Sequence, residues 1–418
     1  MAPLKAPGPD GLPPLFYQKF WLAIGEDVSK AVLNCLNLGS IPSSINHTFI
    51  TSIPKVKSPS VVLEFRPIAL CNVIYKLVSK VVANMLKKVL PYIISDSQSA
   101  FQSNKAISNK ILVAFKLLHH MKTHKSKKAG FMTLKLDMSK VYVKVEWCFL
   151  IEIMRKMGFC DNWLNLIHEC ISMVSYSILV NGKPKGEIFL SRGIRQGDPL
   201  SSYLFLLCSG GLNRMIQKAA REDIIKGFLL CKNGPKITNI FFVDDSLLFC
   251  YARREDLQAI QNILTSYEHA LGQKINQEKT TLFFSKVVSD DMKGEILNFL
   301  GVLEIKEYEM YLGLPVVVGK NKKASLNYIK ERVWAKLQGC KEKLLSQPGR
   351  EVLLKAVVQS IPTFAMSCFK LLVGLCKEIE MQIRKFWWVS VVAKGKSIGK
   401  VGKFCANRNP REEWDSRI

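Results

Sequence analysis

"NIFFVDDSLLFCYA", residues 239–252, sets two adjacent aspartates between two apolar runs. An ionised carboxylate taken out of water without a partner costs several kcal/mol, and like charges in contact add to that cost. The flanks read as a strand, a turn and a strand, with Asp244 and Asp245 at the tip. Aspartate is a common turn residue, so the pair by itself is also compatible with a plain hairpin turn.

A third acid changes the balance. "GFMTLKLDMSK", residues 130–140, is an apolar strand that ends on Asp137, just before the chain turns towards a helix. If this strand pairs with the hairpin, Asp137 and Asp244 converge on one sheet edge, and Asp245 adds its charge beside them. Three such acids repel one another unless divalent cations neutralise them. Mg²⁺ suits the donor set, because it takes one or two protein carboxylates and completes its octahedron with water and substrate phosphate oxygens. Two ions about 4 Å apart can activate a primer 3′-hydroxyl and stabilise a leaving pyrophosphate, with Mn²⁺ as the alternative metal.

The whole chain supports a polyanionic partner. Across 418 residues, Lys and Arg total 60 against 34 Asp and Glu, a formal charge of +26. That excess points to nucleic acid. It is spread along the chain, which argues against a membrane-surface protein. Hydrophobic residues make up 48%, enough for a sizeable core and two to three domains. The 12 cysteines are scattered, without a CxxC pair or zinc spacing, and read as reduced thiols of an intracellular protein. The N-terminus carries no apolar signal segment. Residues 353–375 are apolar but interrupted by Lys355, Gln359, Pro362 and Lys370, which predicts a kinked or paired core helix, not a membrane span.

Periodicity predicts a helix over 15–39, a strand over 47–56 and a long amphipathic helix over 66–94. It further predicts a helix near 147–157, a hairpin turning at Asn181-Gly182, and helices over 199–222 and 254–272. Short strands are expected at 280–285 and 311–316, and basic helices from Lys320 onward. The central order β-α-ββ-α-β predicts an α/β (α+β) fold with an antiparallel sheet backed by helices.

These residues carry a family likeness. "FFVDDSLLF" (241–249), "LKLDMSKVYVKVEW" (134–147), "GIRQGDPLSSYLFLL" (193–207), "FRPIALCNVIYKLVSKVVANML" (65–86) and "YLGLP" (311–315) resemble the blocks of plant non-LTR, LINE-type retrotransposon reverse transcriptases. The likeness runs from "KAPGPDG" (5–11) to about residue 390. It implies a right-hand polymerase with fingers, a ferredoxin-like palm and a helical thumb. The implied divisions are an N-terminal extension at 1–33, fingers and palm at 34–316, a basic thumb-like region at 317–390 and a loosely ordered tail at 391–418.

The resemblance also implies roles. Asp137, Asp244 and Asp245 would be the catalytic metal ligands, holding two Mg²⁺ ions, and Lys279 would protonate the leaving pyrophosphate. Tyr142 would be the aromatic gate beside the incoming sugar; a core tyrosine is the plain alternative. Gly193, Arg195, Gln196 and Gly197 would face the nascent base pair. Lys55 and Arg66 would bind the triphosphate, although solvated surface positions would look the same. Tyr311, Leu312 and Gly313 would steady the primer end. The implied partners are an RNA template, a DNA primer and dNTPs, with no membrane, and the implied compartment is the nucleus.

The chain departs from the family pattern in places. Val243 stands where the family has alanine before its paired aspartates. Val141 replaces an alanine, and Val143 an aspartate that is not one of the three ligands. Asn104-Lys105 replaces a Gly-Arg pair. Because the sequence starts inside the first reverse-transcriptase block and shows no ribonuclease H or zinc-knuckle pattern, the expectation is a truncated element without its upstream endonuclease. The expected function is RNA-directed DNA polymerase, and the alternative is a catalytically inactive nucleic-acid-binding relic.

Overall fold

The computed structural model describes residues 1–95, 97–98, 100, 106–123, 130–139, 142–229, 234–243, 245–272, 274–304, 310–315, 322–341 and 345–392. The chain divides into two compact units, Met1–Lys306 and Glu307–Ile418.

The first unit opens with α1 (Pro14–Lys19) and α2 (Trp21–Leu38), separated at Phe20 where one helix was predicted. Tyr17, Val28 and Val32, all within the expected extension 1–33, belong to the core of this unit. A single turn α3 (Ser43–Asn46) leads into β1 (Thr48–Pro54) and β2 (Phe65–Cys71). The predicted helix over 66–94 is therefore too long. Its first part is a strand, and α4 (Val73–Ile93) starts only after Asn72. Pro67 explains the error: it disfavours helical backbone at Arg66, and its missing N–H is tolerated because β2 is an edge strand.

After α5 (Ile107–Thr123) come β3 (Phe131–Leu136), β4 (Met138–Ser139), α6 (Trp147–Lys156) and α7 (Asp161–Ser172). The predicted hairpin is β5 (Ser175–Val180) and β6 (Lys183–Phe189). Its two turn residues, Asn181 and Gly182, both have positive φ, 50° and 76°, as the favoured two-residue hairpin loop requires. Then follow α8 (Ser201–Arg221), β7 (Phe228–Leu229), β8 (Lys236–Ile237), β9 (Asn239–Phe242) and β10 (Asp245–Tyr251). The unit closes with α9 (Arg254–Leu271), β11 (Lys274–Ile275), β12 (Thr281–Phe284), α10 (Asp290–Leu300) and β13 (Leu303–Glu304).

Two sheets organise this unit. One has the strand order β2-β1-β5-β6, the other β13-β12-β3-β10-β9. In the second, β3 is antiparallel to both β10 and β12. Met132, Leu134 and Leu136 of β3, with Leu248 and Cys250 of β10, share a core with residues of α6, α8 and α9. The opposite face is also covered: Thr133 donates to Met121 Sδ of α5. Burial on both faces explains why Ser246 to Cys250 are all buried instead of alternating with polar residues.

In the second unit, Met310–Tyr311 (β14) and Leu314–Pro315 (β15) form a tight hairpin, as the family resemblance of Tyr311-Leu312-Gly313 implies, within what periodicity alone gave as one short strand. Helices α11 (Lys322–Lys341), α12 (Gln347–Leu353), α13 (Ser360–Met366) and α14 (Val373–Val392) follow. The apolar stretch from Leu353 is broken, as predicted, by a π-helical segment at Leu354–Val358. Among the described residues, no helix is long and apolar enough to cross a membrane. The expected tail from 393 onward lies outside the described residues.

Candidate active site

Asp137 follows the last residue of β3, and Asp245 is the first of β10. Ser246 stands opposite Leu136 and Leu247 opposite Lys135, so one more step of this ladder sets Asp245 against Asp137. Directly opposed residues in an antiparallel pair have Cα atoms about 4.5–5.5 Å apart. Both aspartates are half-buried. The sequence expectation brought Asp137 together with Asp244, with Asp245 beside them; among the described residues the neighbour of Asp137 in register is Asp245. Asp244 itself lies outside the described residues. Among the described residues, no group of three or more His, Cys, Asp or Glu forms a metal cluster.

The β9–β10 hairpin has a two-residue loop, because Asp245 pairs with Phe242. Val243, in that loop, has φ 55°. A β-branched side chain in the left-handed region is sterically disfavoured, so the tip of the acidic hairpin holds local strain.

The backbone of Asp137 is fixed from the β11–β12 turn. Its carbonyl accepts from Asn276 N at 2.9 Å, and its N–H donates to Thr280 Oγ1 at 3.4 Å. Lys279 is an exposed residue of that same turn. Sequence reasoning named Lys279 but missed Asn276 and Thr280, whose signal is their place in the turn.

Tyr142 is half-buried, with its ring centroid 5.8 Å from that of Phe205. Its carbonyl accepts from Ile194 N at 2.7 Å, which joins the segment after Asp137 to the 193–197 loop. Gly193 completes the junction. Its N–H donates to Val145 O at 2.8 Å and its carbonyl accepts from Trp147 Nε1 at 2.6 Å. With φ 98°, a Cβ there would stand 2.7 Å from Val143 O. The close approach that requires glycine is thus to the chain itself. Val143 is exposed, and Val141 lies outside the described residues.

Arg195 departs most from expectation. It is 4% exposed, and its guanidinium is enclosed by the chain's own side chains. Its guanidinium stacks 3.8 Å from the Tyr75 ring centroid. Nη2 donates to Asn46 Oδ1 and, at 3.1 Å, to Cys170 O. Tyr75 OH donates to Asp198 Oδ2 at 2.8 Å, while Asp198 Oδ1 accepts from Leu200 N at 3.0 Å. Burial works against the charge on Arg195, but Tyr75, Cys71, Tyr176 and Asp198 outweigh it and raise its pKa. Burial, reinforced by Asp198, pushes the Cys170 thiol up to about 12. Gln196 is half-buried, and its carbonyl accepts from Ala69 N at 2.9 Å; Gly197 is exposed.

Lys55 and Arg66 are exposed at the loop end of the β1–β2 hairpin. Ile53 pairs with Arg66 and Lys55 N donates to Glu64 O, so the two cations are diagonal neighbours on one face. Lys55 Nζ donates to Leu63 O at 2.8 Å. In the second unit Tyr311 is buried, whereas Leu312 and Gly313 form the hairpin turn with φ 51° and 79°. The Gly313 carbonyl accepts from Tyr328 OH at 3.3 Å.

The family model described as reverse transcriptase (RNA-dependent DNA polymerase) matches residues 53–310. That is more than half of the chain, and the chain belongs to this family. Among its relatives, the uncharacterized 149 kDa protein of transposon TX1 from Xenopus laevis is 24% identical over 402 residues, covering 92% of this chain and 29% of that one. The Pol polyprotein of the type-2 retrotransposable element R2DM from Drosophila melanogaster is 25% identical over 276 residues, covering 66% of this chain and 24% of its own length. The chain thus spans less than a third of either relative. The telomerase of Candida tropicalis, solved with a fragment of telomeric RNA, is 13% identical with a TM-score of 0.47, covering 91% of this chain and 67% of that one.

Proposed function

We propose that this chain is the RNA-directed DNA polymerase of a plant-type non-LTR retrotransposon, extending a DNA primer on an RNA template. The observation that carries this reading is the register that sets Asp245 of β10 beside Asp137 of β3, in a chain of the reverse transcriptase family. On this reading the five-stranded sheet is the palm, the four-stranded sheet belongs to the fingers, and the second unit is the thumb.

Asp137 and Asp245 are half-buried hard oxygen donors at the ends of two adjacent strands, a set that fits Mg²⁺. With Asp244 they would hold two ions. When bound, such ions lower the pKa of the primer 3′-hydroxyl and stabilise charge on the leaving pyrophosphate. The chain's own residues do the positioning. Lys55 and Arg66 hold the triphosphate, Arg by its planar fork and Lys as a point charge. Tyr142 closes the space beside the sugar and disfavours a 2′-hydroxyl. Gln196 and Gly197 border the nascent pair, and Lys279 supplies a proton to the pyrophosphate. Tyr311, Leu312 and Gly313 support the primer end, and the lysine-rich helices of the second unit follow the duplex through phosphate contacts. Copying at chromosomal DNA would place the work in the nucleus.

Primer extension on poly(rA)/oligo(dT), with Asp244→Ala as control, tests the reading. Incorporation by the wild type and not by the variant supports it. RNA binding without incorporation by the wild type leaves the nucleic-acid-binding relic instead.

A further inference from the structure

The geometry points to Arg195 as a positioning residue: a buried clamp that sets where Tyr142 and Gln196 stand, and so governs nucleotide binding without touching the nucleotide. This deepens the polymerase reading and rests on it.

A charge inside a protein is tolerated only when the chain surrounds it with partners. The partners of Arg195 come from four separate segments: Asn46 at the end of α3, Tyr75 in the first turn of α4, Cys170 in α7 and, through Tyr75, Asp198 before α8. Asn46 is in turn held by the Met173 carbonyl, and Asp198 fixes the backbone at Leu200 as α8 begins. The guanidinium therefore joins helices that are otherwise separate in sequence.

Its two neighbours carry this fixed position outward. Ile194 N donates to Tyr142 O, and Gln196 O accepts from Ala69 N. Tyr142 belongs to the segment after Asp137, and Ala69 to the strand that carries Arg66. The 193–197 loop is thus hydrogen-bonded on one side to the acidic segment and on the other to the cationic hairpin, and Arg195 lies between the two attachments. A shift of either neighbour would therefore pull on the segment whose side chain the guanidinium anchors. The planar fork matters as well as the charge, since stacking on Tyr75 and donation to two acceptors use its shape.

Two variants test the clamp. Tyr75→Phe keeps the stacked ring and removes only the hydroxyl that reaches Asp198. Arg195→Lys keeps the charge and removes the fork. Both are expected to raise the KM for dNTP about tenfold, with kcat and primer–template affinity little changed. Hydrogen exchange should quicken at residues 142–146 and 193–197 while 131–136 and 245–251 stay protected. Unchanged exchange in the loop, an increase spread evenly over the first unit, or an unaltered KM with Tyr75→Phe would overturn the proposal. A wild-type chain that binds primer–template and incorporates nothing would remove the polymerase reading, while the exchange pattern would still decide whether the clamp exists.

Discussion

Asp137 and Asp245 stay half-buried where β3 and β10 meet, whereas Arg195 and Asp198 are 4% and 7% exposed. Both pairs lie beside apolar runs, the aspartates at the ends of β3 and β10 and Arg195 and Asp198 in the loop before α8. The buried pair is answered by the chain itself, through a tyrosine, an asparagine and a backbone carbonyl. The aspartates stand beside one another with like charge, and their oxygen donors suit a divalent ion. The buried pair is enclosed by the chain, whereas the aspartates lie half-buried at the ends of β3 and β10.

The contrast can be broken most sharply at the acids. If Asp245 is a metal ligand as proposed, Asp245→Asn should reduce primer extension at least about 100-fold with little change in thermal unfolding, since asparagine keeps its size. At the clamp the reverse should hold for stability. Arg195→Met leaves Asp198 buried without its cationic neighbour, and should cost about 3–5 kcal/mol in urea unfolding. If both variants unfolded alike, the distinction between the two pairs would fail.

Gly193→Ala is a smaller test of the same junction. Its positive φ and the close Val143 carbonyl should cost about 1–3 kcal/mol and lower nucleotide affinity through Tyr142. An alanine variant with wild-type stability would show that the loop gives way more easily than its contacts imply.

The smallest effect belongs to the second unit. Glu378 accepts from Lys323 Nζ at 2.6 Å and Lys330 Nζ at 2.7 Å, bridging α11 and α14. Those hydrogen bonds, Lys323 first, lower its pKa from 4.5 to about 2. The folded value lies below the unfolded one, so the stabilisation is present above 4.5 and is lost as pH falls towards 2. Glu378→Gln should flatten the acid dependence of unfolding of this unit in that window, and an unchanged profile would remove the bridge from the account.

Much of the fold was legible because its signals are local. Asn181-Gly182 announced its hairpin, and the apolar run before Asp137 announced β3. The strand β2 was missed because Arg66 to Cys71 continues the apolar pattern of α4, and only Pro67 marks the change. The inward turn of Arg195 had no local signal, since Asn46 is 149 residues away and Cys170 is 25 away. A motif can name a residue while leaving open the direction of its side chain. Asp245 was legible as an acid on a hairpin, but its register against Asp137 required the pairing of two strands distant in sequence.

The most direct measurement is Mn²⁺ binding, followed by electron paramagnetic resonance, in wild type, Asp137→Asn, Asp245→Asn and the double variant with primer–template bound. If the two acids share one site, each single change weakens binding about 10–100-fold, and the double variant is no worse than the weaker single. Independent, multiplying losses, or unchanged binding in either single variant, would contradict a shared centre at the end of β3 and β10.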